Sequence, residues 1–195
     1  MKKSLVFLLL AFMSCASLAA DKVPAHAHIE MLTSLGTIKL ELDGKQAPIT
    51  VAHILALVDS GYYDGTIFHR VIPGFMAQGG GYTPSLKLKE KQETIANESG
   101  NGLTNVRGTI AMARTADPHS ANSQFFINVA DNARLDPKKD PFRGNWGYTV
   151  FGQVIEGMEV VDEIVNTRTG PAGEFRKDVP MIPVIIKKVS RVTYD

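Results

Sequence analysis

The stretch Phe68-His69-Arg70-Val71-Ile72-Pro73-Gly74-Phe75-Met76-Ala77-Gln78-Gly79-Gly80 sets an arginine inside a strand-like apolar run. Two phenylalanines and a methionine lie close to it in sequence. A guanidinium there must snorkel to solvent, pair with an acid or face a binding groove. Thr66 to Ile72 and Phe75 to Gln78 read as short strands on either side of Pro73-Gly74.

Working outward, more short apolar stretches follow, each bounded by Gly, Pro or Asn: Thr109 to Met112, Phe125 to Val129 and Thr149 to Val154. Short strands at this density predict a barrel or a sandwich. Phe125 and Phe126 point to opposite faces of an isolated strand, so one faces the core and the other meets helices or a ligand. Upstream, His28 to Leu42 reads as a hairpin. Ile38, Leu40 and Leu42 alternate with Lys39 and Glu41, and Ser34-Leu35-Gly36 supplies the turn. The spacing of Val51, Ile54, Leu55 and Val58 predicts a helix over Pro48 to Ser60, with Pro48 in its first turn and Gly61 after it. A second helix is predicted over Gly157 to Asn166, and a closing strand over Val184 to Val192. Gly79 to Asn105 and Asp136 to Asn145 read as polar surface loops.

Ahead of this domain, Met1-Lys2-Lys3, the apolar run Leu5 to Met13 and the small residues Ser14 to Ala20 form the three-part pattern of a secretory signal peptide. The apolar run is shorter than a membrane span. Residues 1–20 are therefore expected to be cleaved, after Ala19 or Ala20, leaving 21–195 as a single domain. Cys15, the sole cysteine, falls in the leader, so the mature chain has none, as suits an oxidising compartment. The expected location is the periplasm. Lipid anchoring through Cys15 is the alternative, but Phe12-Met13-Ser14 fits it poorly. Without Lys2 and Lys3 the net charge of +1 becomes about −1, which argues against a nucleic-acid groove.

Other chemistries find little support. The five histidines include no H-E-x-x-H spacing, and His26-Ala27-His28 reads as an ordinary strand start. Gly79-Gly80-Gly81 lacks the Gly-Lys-Ser/Thr ending of a phosphate loop and reads as a tight turn. No G-x-S-x-G elbow occurs. Asn97-Glu98-Ser99 matches a glycosylation sequon, a weak signal at three residues.

The run Phe68 to Gly80, with Arg107-Gly108-Thr109-Ile110-Ala111-Met112-Ala113 and Ser123-Gln124-Phe125-Phe126-Ile127, resembles the cyclophilins, which are peptidyl-prolyl cis/trans isomerases. Val150-Phe151-Gly152-Gln153-Val154 and Gly157-Met158-Glu159-Val160-Val161 add a C-terminal signature. The resemblance covers about Ile29 to Val192 and, with the leader and compact loops, is to the bacterial periplasmic type. It implies a mainly β fold, a closed eight-stranded antiparallel β-barrel capped by two α-helices, with peptide bound in a groove on the outer wall. Carried over by motif position, it implies Arg70 as the catalytic donor. Phe75, Met76, Phe126 and Leu135 become walls of a proline pocket, and Gln78 the residue that orients Arg70. Gln124 and Tyr148 line the groove, and the backbone of Arg114 pairs with extended peptide. His69 is expected to be structural.

The resemblance also implies no cofactor and no metal. Expected partners are proline-containing unfolded or partly folded polypeptides, with no nucleic acid and no stable membrane insertion. A monomer is expected, because no long apolar surface segment calls for an obligate dimer. Three positions depart from the best-known eukaryotic pattern: Arg114 stands for Asn, Tyr148 for His and, at the pocket rim, Arg134 for a Trp important for binding cyclosporin. Two rival readings come from other classes. One is a chaperone module that uses the groove without catalysis; the other is a small barrel for single-stranded nucleic acid.

Overall fold

The computed structural model describes residues 23–138 and 144–193; the leader with Cys15 lies outside them, as does part of the second polar loop. In chain order the elements are β1 (His26–Thr33), β2 (Thr37–Asp43), α1 (Pro48–Asp59), β3 (Thr66–Ile72), β4 (Met76–Gly79), β5 (Thr109–Met112) and β6 (Phe125–Asn128). A 3-10 turn (Ala133–Leu135) follows, then β7 (Val150–Glu156), α2 (Met158–Val165), β8 (Thr169–Ala172), β9 (Phe175–Pro180) and β10 (Val184–Val192). Eight strands close a barrel in the order β1-β10-β3-β4-β6-β5-β7-β2, and every pairing is antiparallel. Closure leaves no free sheet edge in the barrel.

Alternation builds the barrel's interior. In β2, Ile38, Leu40 and Leu42 are fully buried while the residues between them stay half-exposed. Ile29 and Met31 of β1, Ile110 and Met112 of β5, and Phe125 and Ile127 of β6 join the same core. Val51, Ile54, Leu55 and Val58 of α1 and Val161, Ile164 and Val165 of α2 pack into it as well. Rings order its centre: Phe125 meets Tyr63 and Phe68 edge-on at centroid distances of 5.6 and 6.0 Å. The Phe125 and Tyr63 rings leave no room for a side chain at Gly80. A Cβ on Gly80, whose φ is +83°, would lie 2.8 Å from Phe125 and 2.9 Å from Tyr63. The glycine run is thus a close backbone passage over the core rather than a phosphate loop.

The first polar loop has structural work. Ala47, the residue before α1, offers no capping side chain. Glu98 reaches across instead and accepts from Ile49 N (3.0 Å), Thr50 N (2.8 Å) and the Thr50 hydroxyl (2.7 Å). A carboxylate at a helix N-terminus satisfies orphan amides and complements the dipole. Asn97 of the sequon is similarly engaged, donating to Pro118 O and Gly147 O at 3.1 Å each.

Two sequence expectations shift. Phe75 and Val129 fall just outside β4 and β6, and Gly157 precedes α2 as its left-handed cap residue at φ +85°. The hairpin β8–β9 was not anticipated. It forms a separate two-stranded sheet laid against β3.

Candidate active site

Strand register assembles one row of side chains across the outer barrel wall. Arg70 lies opposite Gln78, Gln78 opposite Phe126, Phe126 opposite Ala111, and Ala111 opposite Val150. Directly opposed residues share a face, and their neighbours Val71, Ala77, Ile127 and Ile110 belong to the interior. Met76, Ala111, Phe126 and Val150 therefore form a second buried apolar cluster on the outside of the barrel, joined by Phe75, Leu135 and Tyr148.

Arg70 reaches this face through a bulge. Phe68 pairs with Gly79 and Arg70 with the next residue along β4, Gln78, so β3 carries one extra residue, His69, at this point. Strict alternation would place Phe68 and Arg70 on the same side. The bulge keeps Phe68 in the core and turns Arg70 outward, a common use of bulges beside functional sites.

The row borders a cleft of about 160 Å³ lined by Arg70, Phe75, Met76, Gln78, Ala113, Arg114, Phe126, Leu135 and Tyr148. Eight of the nine residues expected at the site lie here; Gln124 lines an adjoining cleft that shares Gln78 and Arg114. Phe126 and Tyr148 meet edge-on at 5.6 Å. Gln78 donates its amide to Gln124 Oε1 at 3.0 Å. Although Gln78 faces Arg70 in register, the charged partner of Arg70 is Asp178, whose carboxylate lies 3.9 Å from Nε. Asp178 sits on β9 at φ +68°, a conformation Asp tolerates better than most residues. Among the described residues no protein acceptor bonds the terminal amino groups of Arg70.

Two further features stand behind the cleft. The first is a buried amide network behind the pocket. Asn128 donates to Asn105 Oδ1 (3.2 Å) and Thr109 Oγ1 (2.9 Å). Asn132 donates to Asn128 Oδ1 (2.7 Å) and to the Phe75 carbonyl (2.9 Å). Asp136 accepts from Asn105 N at 2.7 Å and from its amide at 2.9 Å. The network holds the segments carrying Phe75 and Leu135 against the barrel. Its one sequence signal is Asn128, a polar residue two beyond Phe126 on the same face of a four-residue apolar strand. Asn132→Ala leaves the Asn128 oxygen without its partner and is expected to cost about 1–3 kcal/mol of stability. Urea denaturation checks it; an unchanged midpoint and slope would show that the network is not coupled to folding.

The second is His69, which is 2% exposed and packed between Tyr82 and Phe175 at centroid distances of 4.6 and 5.6 Å. Its Nδ1 has no hydrogen-bond partner. Burial, reinforced by the positive charge of Arg70 and opposed by a backbone contact at Ile67, lowers its pKa from 6.5 to about 4. Among the described residues no three His, Cys, Asp or Glu side chains gather in a metal-holding group.

An apolar cleft with free donors on one wall suits a small ring next to a polar bond. Comparison with known proteins agrees in kind. Residues 28–191 match the family model described as cyclophilin-type peptidyl-prolyl cis-trans isomerase. The chain is 51% identical over 160 residues to peptidyl-prolyl cis-trans isomerase A of Dickeya dadantii, covering 82% of each. It is 50% identical over 158 residues to peptidyl-prolyl cis-trans isomerase B of Escherichia coli K12, covering 81% of this chain and 95% of that one. Its fold is similar to the crystal structure of a cyclophilin-type peptidyl-prolyl cis-trans isomerase of Cryptosporidium parvum, at 29% identity and a TM-score of 0.72, covering 87% of this chain and 99% of that one. The chain belongs to the cyclophilin-type peptidyl-prolyl cis-trans isomerase family.

Proposed function

We propose that this enzyme accelerates rotation about Xaa-Pro bonds of exported, folding polypeptides, with Arg70 donating a hydrogen bond to the prolyl nitrogen in the twisted transition state. The observation that carries this is the position of Arg70: a guanidinium with free terminal donors on the wall of an otherwise largely apolar cleft.

Rotation of a peptide bond is opposed by a barrier of ~18–20 kcal/mol, because C–N resonance is lost as the bond twists. Uncatalysed Xaa-Pro exchange therefore takes roughly tens to hundreds of seconds. In the twisted form the nitrogen turns pyramidal and its lone pair localises. A donor aimed at that lone pair binds the transition state more strongly than the planar ground state, which is the condition for catalysis. Arginine keeps its protons at every relevant pH and presents them in a fixed plane. Asp178 meets its Nε edge and leaves the terminal amino groups for the substrate. Phe75, Met76, Phe126 and Leu135 supply apolar contact for the proline ring. The proton stays on Arg70 throughout, so the step needs no nucleophile and no acid–base relay.

Export is the reading that the leader pattern of residues 1–20 supports, and the periplasm is the proposed location. Cis/trans exchange of a short Xaa-Pro peptide, followed by NMR with and without mature protein, tests the activity. Fast exchange is expected. Binding of the peptide without faster exchange would leave a chaperone groove in place of an enzyme.

Cyclosporin binding is expected to separate this protein from its eukaryotic relatives. The rim position taken there by Trp holds Arg134, whose guanidinium covers the Phe75 ring at 4.4 Å. Weak inhibition is expected, and a titration with nanomolar-range inhibition would contradict it.

A further inference from the structure

Two aromatic rings in the lining of the cleft each carry a cation. The Arg134 guanidinium carbon lies 4.4 Å from the Phe75 centroid, and that of Arg114 lies 4.6 Å from the Tyr148 centroid. Tyr148 N donates to Leu135 O at 2.9 Å, so one wall runs from the residue beside Arg134 to the ring beneath Arg114. Two positive charges thus stand along the wall of the cleft formed by Phe75, Leu135 and Tyr148.

Neither charge is matched by an acid among the described residues. Arg114 donates to Gly147 O (3.1 Å), Thr115 O (2.9 Å) and Trp146 O (3.0 Å), and to Ala116 O at a longer 3.5 Å. These neutral acceptors fix its position and leave its charge uncompensated. Arg134 is exposed and has no protein hydrogen bond or ion pair among the described residues. The carboxylates nearest in sequence are turned onto backbone amides: Asp117 to His119 N (2.9 Å), Asp131 to Arg107 N (2.9 Å) and Asp136 to Asn105 N (2.7 Å). The arrangement recurs on both rings in a chain whose net charge is close to zero.

We infer that the cleft selects proline segments carrying Asp or Glu within a residue or two of the proline. Arg134 is the pairing group and Arg114 adds to the field. This substrate class rests on the isomerase reading given above. Stacking on Phe75 holds the Arg134 plane in place with its donors free, the geometry in which arginine grips a carboxylate with two parallel bonds. The apolar walls beside it weaken solvent screening. An exposed ion pair contributes up to roughly fivefold in affinity. Two cations are expected to raise kcat/KM for an acidic peptide about three- to tenfold over its amide isostere, chiefly through KM.

The test uses short peptides, acetylated and amidated at their ends, that differ only as Glu or Gln. One pair varies the residue before proline and a second pair the residue after it. Exchange is measured by NMR with the mature protein and with Arg134→Gln and Arg134→Glu, at low ionic strength and at about 0.5 M salt. Peptide binding is read from amide shifts in the same samples. The Glu peptide is expected to lead in at least one pair. The lead should shrink with salt, fall in Arg134→Gln and reverse in Arg134→Glu. Because the readout is a ratio of two peptides, a variant with a general loss of activity does not imitate the result. Equal kcat/KM within both pairs for the wild type overturns the inference. So does a Glu preference that survives salt and both substitutions. Tighter binding of the Glu peptide without faster exchange of either would sink the isomerase reading and keep the charge selection.

Discussion

Arg70→Ala is expected to lower kcat/KM for Xaa-Pro exchange by a factor on the order of a hundred or more. The magnitude follows from other enzymes in which a donor to a charge that develops only in the transition state has been removed. The loss should fall mainly on kcat, because the proline ring still has Phe75, Met76, Phe126 and Leu135 to bind against. Folding should survive. The Arg70 side chain is 39% exposed and belongs to no core cluster, so its removal opens no cavity. Arg70→Lys distinguishes charge from geometry. It keeps the positive charge beside Asp178 but loses the planar array of donors, and most of the activity should go with them. Equal acceleration by wild type and Arg70→Ala would keep the enzyme and discard this mechanism. An alanine variant that also binds peptide a hundredfold less tightly would make Arg70 a ground-state contact instead.

Period-2 alternation made most of the barrel legible. Ile38, Leu40 and Leu42 point inward as read, and Phe126 is the member of the Phe125-Phe126 pair that leaves the core. The cleft residues came from motif position, and the register explains why those motifs converge: β3, β4, β6 and β5 are consecutive around the barrel. What alternation missed depends on local exceptions to it. The extra residue at His69 turns Arg70 outward, and no single residue type announces a bulge. The β8–β9 hairpin is short, with Gly170, Pro171 and Pro180 in its strands and only Val179 and Pro180 buried, so it has neither length nor period to detect. It nonetheless carries Phe175 onto His69 and Asp178 toward Arg70. The amides of Asn105, Asn128 and Asn132 are scattered over separate segments, and only the closed barrel brings them together.

His69 makes this fold acid-sensitive in a defined window. Its pKa lies at about 4 in the folded protein, first because burial disfavours the imidazolium and second because Arg70 repels it. In the unfolded chain it returns to about 6.5. Between these values the unfolded state binds the proton and the folded state does not, so stability falls as pH drops from about 6.5 to about 4. Above 6.5 the ring is neutral in both states and the full stability is present; below 4 both are protonated and this slope ends. At about 1.4 kcal/mol per pH unit the loss is on the order of 3 kcal/mol, a large share of the stability of an ordinary domain. Asp162 acts in a different range. Its hydrogen bond to Arg107 holds its pKa below 3.8, so its own contribution is lost only at more acidic pH. Urea denaturation at pH 7, 5.5 and 4.5 measures the slope, and His69→Phe should flatten it. The Phe ring keeps an aromatic between Tyr82 and Phe175, and any packing penalty applies equally at each pH. Removing the neighbouring charge links this window to the proposed catalytic residue: Arg70→Ala should raise the His69 pKa and narrow the window from its acid end without closing it, because burial is the larger cause. A slope as steep in His69→Phe as in the wild type would assign the acid sensitivity to other groups.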